Sequence, residues 1–119
     1  MALTRDFKET VVFRVKNDPE FAQVLLNEAV TLFLSGDAET AKLVLRDLVN
    51  ATVGFERLAE DIHKPSKSLH RMLSKAGNPT MESLSAIFAA ITNFLKVNIK
   101  AVTTPLNDAH AFGRSLREA

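Results

Sequence analysis

FERLAEDIHKPSKSLHRMLS, residues 55–74, holds two short helical patterns that meet at a tight break. Phe55, Leu58, Ala59 and Ile62 recur at the spacing of one helix face, and Leu69, Met72 and Leu73 do the same on a second helix. His63-Lys64-Pro65 separates them, because a proline disfavours helical geometry in the residue before it. Two short helices joined by a turn of three or four residues form a helix-turn-helix. Ala59 falls where the helices would cross, so a small side chain lets them approach. Leu58, Ile62, Leu69 and Met72 can then close one small core.

The outward face of the second helix carries the chemistry. Ser66, Lys67, Ser68, His70, Arg71 and Ser74 are polar or basic. From Lys64 to Asn78 there are four cations (Lys64, Lys67, Arg71 and Lys75) and no Asp or Glu, a local +4 on a chain whose formal net charge is +1. Such a helix suits the phosphate-lined major groove of DNA. The bland alternative is a solvated helix face; motif spacing and charge together favour DNA readout over it. Charge is also segregated along the chain: residues 1–54 carry a net −2, residues 55–78 a net +2 and residues 79–119 a net +1.

At 119 residues the chain is expected to form one domain with a modest core. Gly and Pro number only four each, which favours helix, and all eight aromatics are Phe. There is no cysteine, hence no disulfide framework and no thiolate metal site. MALTRDFKET lacks the apolar core of a signal peptide, and no apolar run is long enough to span a bilayer. A soluble, cytoplasmic protein without membrane partners is expected.

Around the motif, Thr4 can cap a first helix from about Arg5 to Lys16, burying Phe7, Val11 and Val15. Asp18-Pro19-Glu20 starts a second, with Phe21, Val24, Leu25, Ala29, Leu32 and Phe33 as its apolar stripe, and Ser35-Gly36 ends it. Asp37 starts a third, whose stripe is Ala41, Val44, Leu45, Leu48 and Val49, and Gly54 breaks the chain before the motif. After the motif, Ala76-Gly77-Asn78-Pro79 is a turn, and Thr80 caps a long helix that buries Leu84, Ile87, Phe88, Ile91 and Leu95. Beyond Lys96 the period changes to two. Val97, Ile99 and Ala101 alternate with Asn98 and Lys100, which predicts a short strand paired with its copy in a second chain. The tail from Leu106 to Ala119 has weak helical character near Ala109–Leu116. The expected fold is all-α: a bundle of about five helices over residues 1–96 with the helix-turn-helix at 55–74, then a strand and tail over 97–119 that serve dimerisation.

GFERLAEDIHKPSKSLHRMLSKAGNPTMESLSAIFAAI, residues 54–91, resembles the Xre/Cro-repressor-like helix-turn-helix family, and within it the addiction-module antidote group, the HigA-like antitoxins. LAEDI at Leu58–Ile62 matches the first motif helix of that group, LHRMLS at Leu69–Ser74 its recognition helix, and GNPT at Gly77–Thr80 the turn that follows. VLLNEA at Val24–Ala29 and LRDLVNATVGFERLA further resemble members with an added N-terminal helical segment. The resemblance implies a lambda-repressor-like bundle, usually dimeric, that binds double-stranded operator DNA. In toxin-antitoxin operons such a protein also neutralises a toxin and represses its own promoter. Two positions depart: many members place Gly at the motif turn where this chain has His63, and a small apolar residue where it has Lys64.

If the second helix enters the groove, its first residues meet base edges. Lys67 and Arg71 are the expected direct readers, since both can donate to guanine acceptors. Ser66, Ser68 and Ser74 suit phosphates or waters, and His70 could contact DNA. Lys64, Lys75 and the backbone amides near Asn78 and Thr80 are phosphate candidates. His63 and His70 are seven residues apart with no third ligand nearby, and the Ser66–His70 pair has no acid to orient it, so neither a metal centre nor catalysis is expected. No cofactor is expected either. The competing reading is a protein-interaction module built on Phe21, Leu25, Leu32 and Phe33, with DNA binding secondary. A third is a stand-alone regulator of the same family with no toxin.

Overall fold

In the computed structural model, which describes residues 13–15 and 17–106, three of the five helices from Pro19 to Leu95 begin at a side-chain cap written in the sequence. Asp18 accepts the Glu20 N–H at 3.2 Å, and Pro19 occupies the first turn of α1 (Pro19–Leu34). Gly36 follows in the left-handed region (φ 96°), and the Asp37 N–H returns to the Leu32 carbonyl at 2.9 Å. Asp37 then caps α2 (Ala38–Ala51) by accepting the Thr40 N–H at 3.2 Å. Caps of this kind each contribute about 1 kcal/mol. Gly54 precedes α3 (Phe55–Ile62), and Pro65 precedes α4 (Ser66–Met72); neither supplies a side-chain cap. Thr80 caps α5 (Met81–Leu95), its Oγ1 accepting the Ser83 N–H at 3.0 Å.

The turn between α3 and α4 answers the question raised by His63. Its backbone takes φ 59° and ψ 45°, the left-handed geometry that glycine usually supplies at a helix end. The Lys64 N–H donates to the Ala59 carbonyl at 3.1 Å and closes the cap. The turn therefore forms without glycine, at the steric cost of a Cβ in that region.

α1 and α2 make the most extensive interhelical contact, and α5 lies against both α1 and α3. Leu26 of α1, Leu45 and Leu48 of α2, Leu58 of α3, Leu69 of α4, Leu73 just beyond it, and Ile87 and Ile91 of α5 are the large side chains sealed in one core. Each contributes about 1.5–3 kcal/mol by leaving water. Ile62 and Met72 sit half-buried at the edge of this core, and Phe33 meets Phe88 edge-on at 6.0 Å.

Two expectations need correction. The buried line of α1 is Ala22, Leu26 and Ala29, with Phe21, Leu25, Val30 and Phe33 partly covered, whereas Val24 is 58% exposed. Ten of the fourteen positions of FAQVLLNEAVTLFL are apolar, more than one buried side needs, and Val24 falls on the exposed face shared by Gln23, Asn27, Glu28 and Thr31, about 200° round the helix from Ala22. Residues 97–105 form no strand; the described residues contain none. Val97 and Ile99 instead turn inward onto this chain's own core, while Ala101 is exposed. The alternation was real, and its cause is packing against helices.

Phe13–Val15 and Asn17 are helical, but the rest of the expected first helix lies outside the described residues, as does the tail beyond Leu106. No helix among the described residues is long and apolar enough to cross a membrane.

Two substitutions test this backbone. His63→Gly relieves the left-handed strain and should raise stability by about 0.5–1 kcal/mol in urea unfolding, after the entropy of glycine is subtracted. Gly77→Ala should lower it by about 1–3 kcal/mol, because a Cβ there would fall on the Arg71 and Met72 carbonyl oxygens.

Candidate nucleic-acid interface

Leu69 and Leu73 anchor the second motif helix, and their burial decides what its other side presents. At 3.6 residues per turn, Lys67, His70, Arg71 and Ser74 fall within about 100° of arc, roughly opposite Leu69. Lys67, His70, Arg71 and Lys75 are exposed; Lys64, Ser66, Ser68 and Ser74 are half-buried at the margins. Lys67, Arg71 and Lys75 make no ion pair within the described residues, so their charge is available to an incoming anion. The resolved ion pairs lie elsewhere, Arg14–Asp18 and Arg57–Asp61, both at 3.7 Å and both solvent-exposed. Exposed pairs of this sort contribute little to stability.

Several candidate side chains already have partners within the fold. The His70 imidazole stacks on the Phe55 ring, with centroids 4.1 Å apart and planes 23° from parallel. That contact ties α4 to the start of α3 and makes His70 a cover for a core phenyl ring. The Ser74 hydroxyl donates to the Arg71 carbonyl at 2.7 Å, so it can accept from a ligand but its proton is spent. The Thr80 hydroxyl bonds Ser83 Oγ at 3.1 Å and accepts the Ser83 N–H, so Thr80 serves α5 through its side chain. Asn78 and Lys75 are exposed on the connecting turn.

Sequence reasoning missed Lys42. It lies on α2, only 7% exposed, and its ammonium crosses to the turn after α4, donating to the Lys75 carbonyl at 3.0 Å and the Gly77 carbonyl at 2.6 Å. Hydrogen bonds from a charged donor contribute about 1.5–3 kcal/mol each. A readable signal existed: Lys42 occupies the stripe of Leu45 and Val49, where a lysine is out of place unless its head group finds acceptors. Its acceptors, more than thirty residues away, were not readable.

The arrangement is thus a short helix with a cationic outer face, followed by a turn held from behind by a buried ammonium. No family model matches the chain, and neither a curated protein nor a solved structure matches it, so any functional reading rests on α3, α4 and the turn that follows them.

Proposed function

We propose that this chain is a sequence-specific DNA-binding regulator of the Xre/Cro-repressor-like helix-turn-helix type, acting as antitoxin and autorepressor of a toxin-antitoxin operon. The single observation that carries the reading is the outer face of α4, where Lys67 and Arg71 stand exposed, opposite the buried Leu69 and without an acidic partner among the described residues. In this reading α4 lies in the major groove, Arg71 and Lys67 donate to guanine O6 and N7, and Ser66 and Ser68 bond phosphates or waters. Lys64, Lys75 and the amides around Asn78 hold the flanking phosphates and set register. His70 acts by packing, and Ser74 only as an acceptor.

A homodimer completes the reading. Two copies related by a two-fold axis would set their recognition helices about 34–36 Å apart, over successive major-groove turns of an inverted repeat. The segment carrying Val97, Ile99 and Ala101 is the proposed contact between copies. Ala101 is free for it, and Val97 and Ile99 would keep their inward packing. Operator occupancy then blocks polymerase, and a bound toxin protein would alter the spacing of the two helices.

One observation favours a second reading, a protein-interaction module. Val30, Phe33, Leu34, Met81, Leu84 and Phe88 line an apolar groove of about 520 Å³, with Leu34 63% and Met81 73% exposed. A pure interaction module would form no complex with the promoter.

Titration of the DNA upstream of its own gene separates the two. The regulator should bind it with an affinity that falls steeply as salt rises, because phosphate contacts release counterions. Arg71→Ala should cost about 1–3 kcal/mol of that affinity and relax one base position. Absence of a complex at low salt would remove the DNA-binding reading. Sedimentation of the free protein at micromolar concentration should give the mass of a dimer; a monomer there would remove the two-fold arrangement.

A further inference from the structure

We propose that Lys42, which belongs to neither motif helix, is a positioning residue for phosphate: it orients the turn after α4 so that the Ala76 and Asn78 N–H groups face outward as an anion site. The proposal rests on the DNA-binding reading for its ligand, a backbone phosphodiester, but its geometry stands apart from that reading.

Lys42 Nζ grips the carbonyls of Lys75 and Gly77 from the α2 side. Peptide units are planar and trans, and none in the described residues is cis, so each N–H points opposite to the carbonyl of its own unit. The N–H paired with the Lys75 carbonyl is that of Ala76; the N–H paired with the Gly77 carbonyl is that of Asn78. Both therefore point away from the buried ammonium, and both residues are exposed. Neither N–H donates to an acceptor within the described residues. The intervening Gly77 N–H is spent on the Ser74 carbonyl at 3.0 Å, which keeps the turn closed. Gly77 is also the residue that lets this turn rest directly on the Arg71 and Met72 carbonyls.

The charge acts with the geometry. A cation on a carbonyl oxygen polarises the peptide unit and strengthens the donor at its other end, as in any chain of hydrogen bonds. Lys42 has no carboxylate partner among the described residues; its acceptors there are the two neutral carbonyls. Two outward donors backed by one buried cation, with Lys75 beside them on the surface, match a monoanionic phosphodiester. Backbone N–H groups are regular phosphate partners in DNA complexes and carry no sequence preference. Lys42 would thus fix where α4 sits along the duplex without touching DNA.

The test has two arms on the full chain, each for the wild type and Lys42→Met. In the first, inorganic phosphate is titrated while backbone amide resonances are followed. The wild type should show saturable shifts at Ala76 and Asn78 that exceed those at Lys67 and Arg71, and Lys42→Met should lose them while the remaining spectrum stays dispersed. In the second, affinity for the promoter fragment is measured. Lys42→Met should weaken it about tenfold, uniformly across base substitutions, because a phosphate contact carries no sequence preference. Shifts at Ala76 and Asn78 that persist in Lys42→Met, or that never appear in the wild type, would overturn the proposal. If Lys42→Met fails to fold, the wild-type titration decides by the same criterion. Phosphate shifts at the two amides without promoter binding would remove DNA as the ligand and leave the anion site standing.

Discussion

Burial of Leu58, Leu69 and Leu73 in one core with Ile87 and Ile91 of α5 is the constraint on which the rest depends. α4 has only seven residues, too few to persist as an isolated helix in water. It exists because its apolar side is packed on α3 and buried in the core that Ile87 and Ile91 also line. Sealing that side leaves Lys67 and Arg71 on the other, and the same contact that makes the helix makes it available. Removing Leu69 or Leu73 would cost both the helix and the direction in which its cations point.

Around this contact the chain uses two kinds of fastening that a purely apolar core would not need. The His70–Phe55 stack closes the seam between the two short helices from outside. The Lys42 ammonium ties α2 to the carbonyls of the turn beyond the end of α4. Orphan carbonyls at a helix C-terminus are ordinarily met by a capping turn or by water. Here a buried lysine satisfies two acceptors of the following turn, so α2 and the helices before it bear directly on the candidate interface.

Much of the architecture was legible because local signals agreed. Asp18, Asp37 and Thr80 each cap the helix that their position suggested, and the α2 and α5 stripes are the buried ones. The short paired helices at 55–74 were visible from spacing alone. Legibility failed where a signal was degenerate or non-local. α1 carries more apolar residues than its buried side needs, so Val24 sits among Gln23, Asn27 and Thr31 on the exposed face. Val97 and Ile99 alternate as a strand would, yet they fill gaps in this chain's own core. The partners of Lys42 and His70 depend on which segments the fold brings together. Periodicity along the chain carries no information about them.

The central claim is that the outer face of α4 meets DNA. Lysine-reactivity footprinting of the full chain, free and with the promoter fragment, tests it most directly. Lys64, Lys67 and Lys75 should become protected from acylation in the complex. Lys100, near the end of the described chain, should stay as reactive as in the free protein. Equal reactivity of Lys67 with and without DNA under conditions where the complex forms, or protection confined to Lys96 and Lys100, would contradict it.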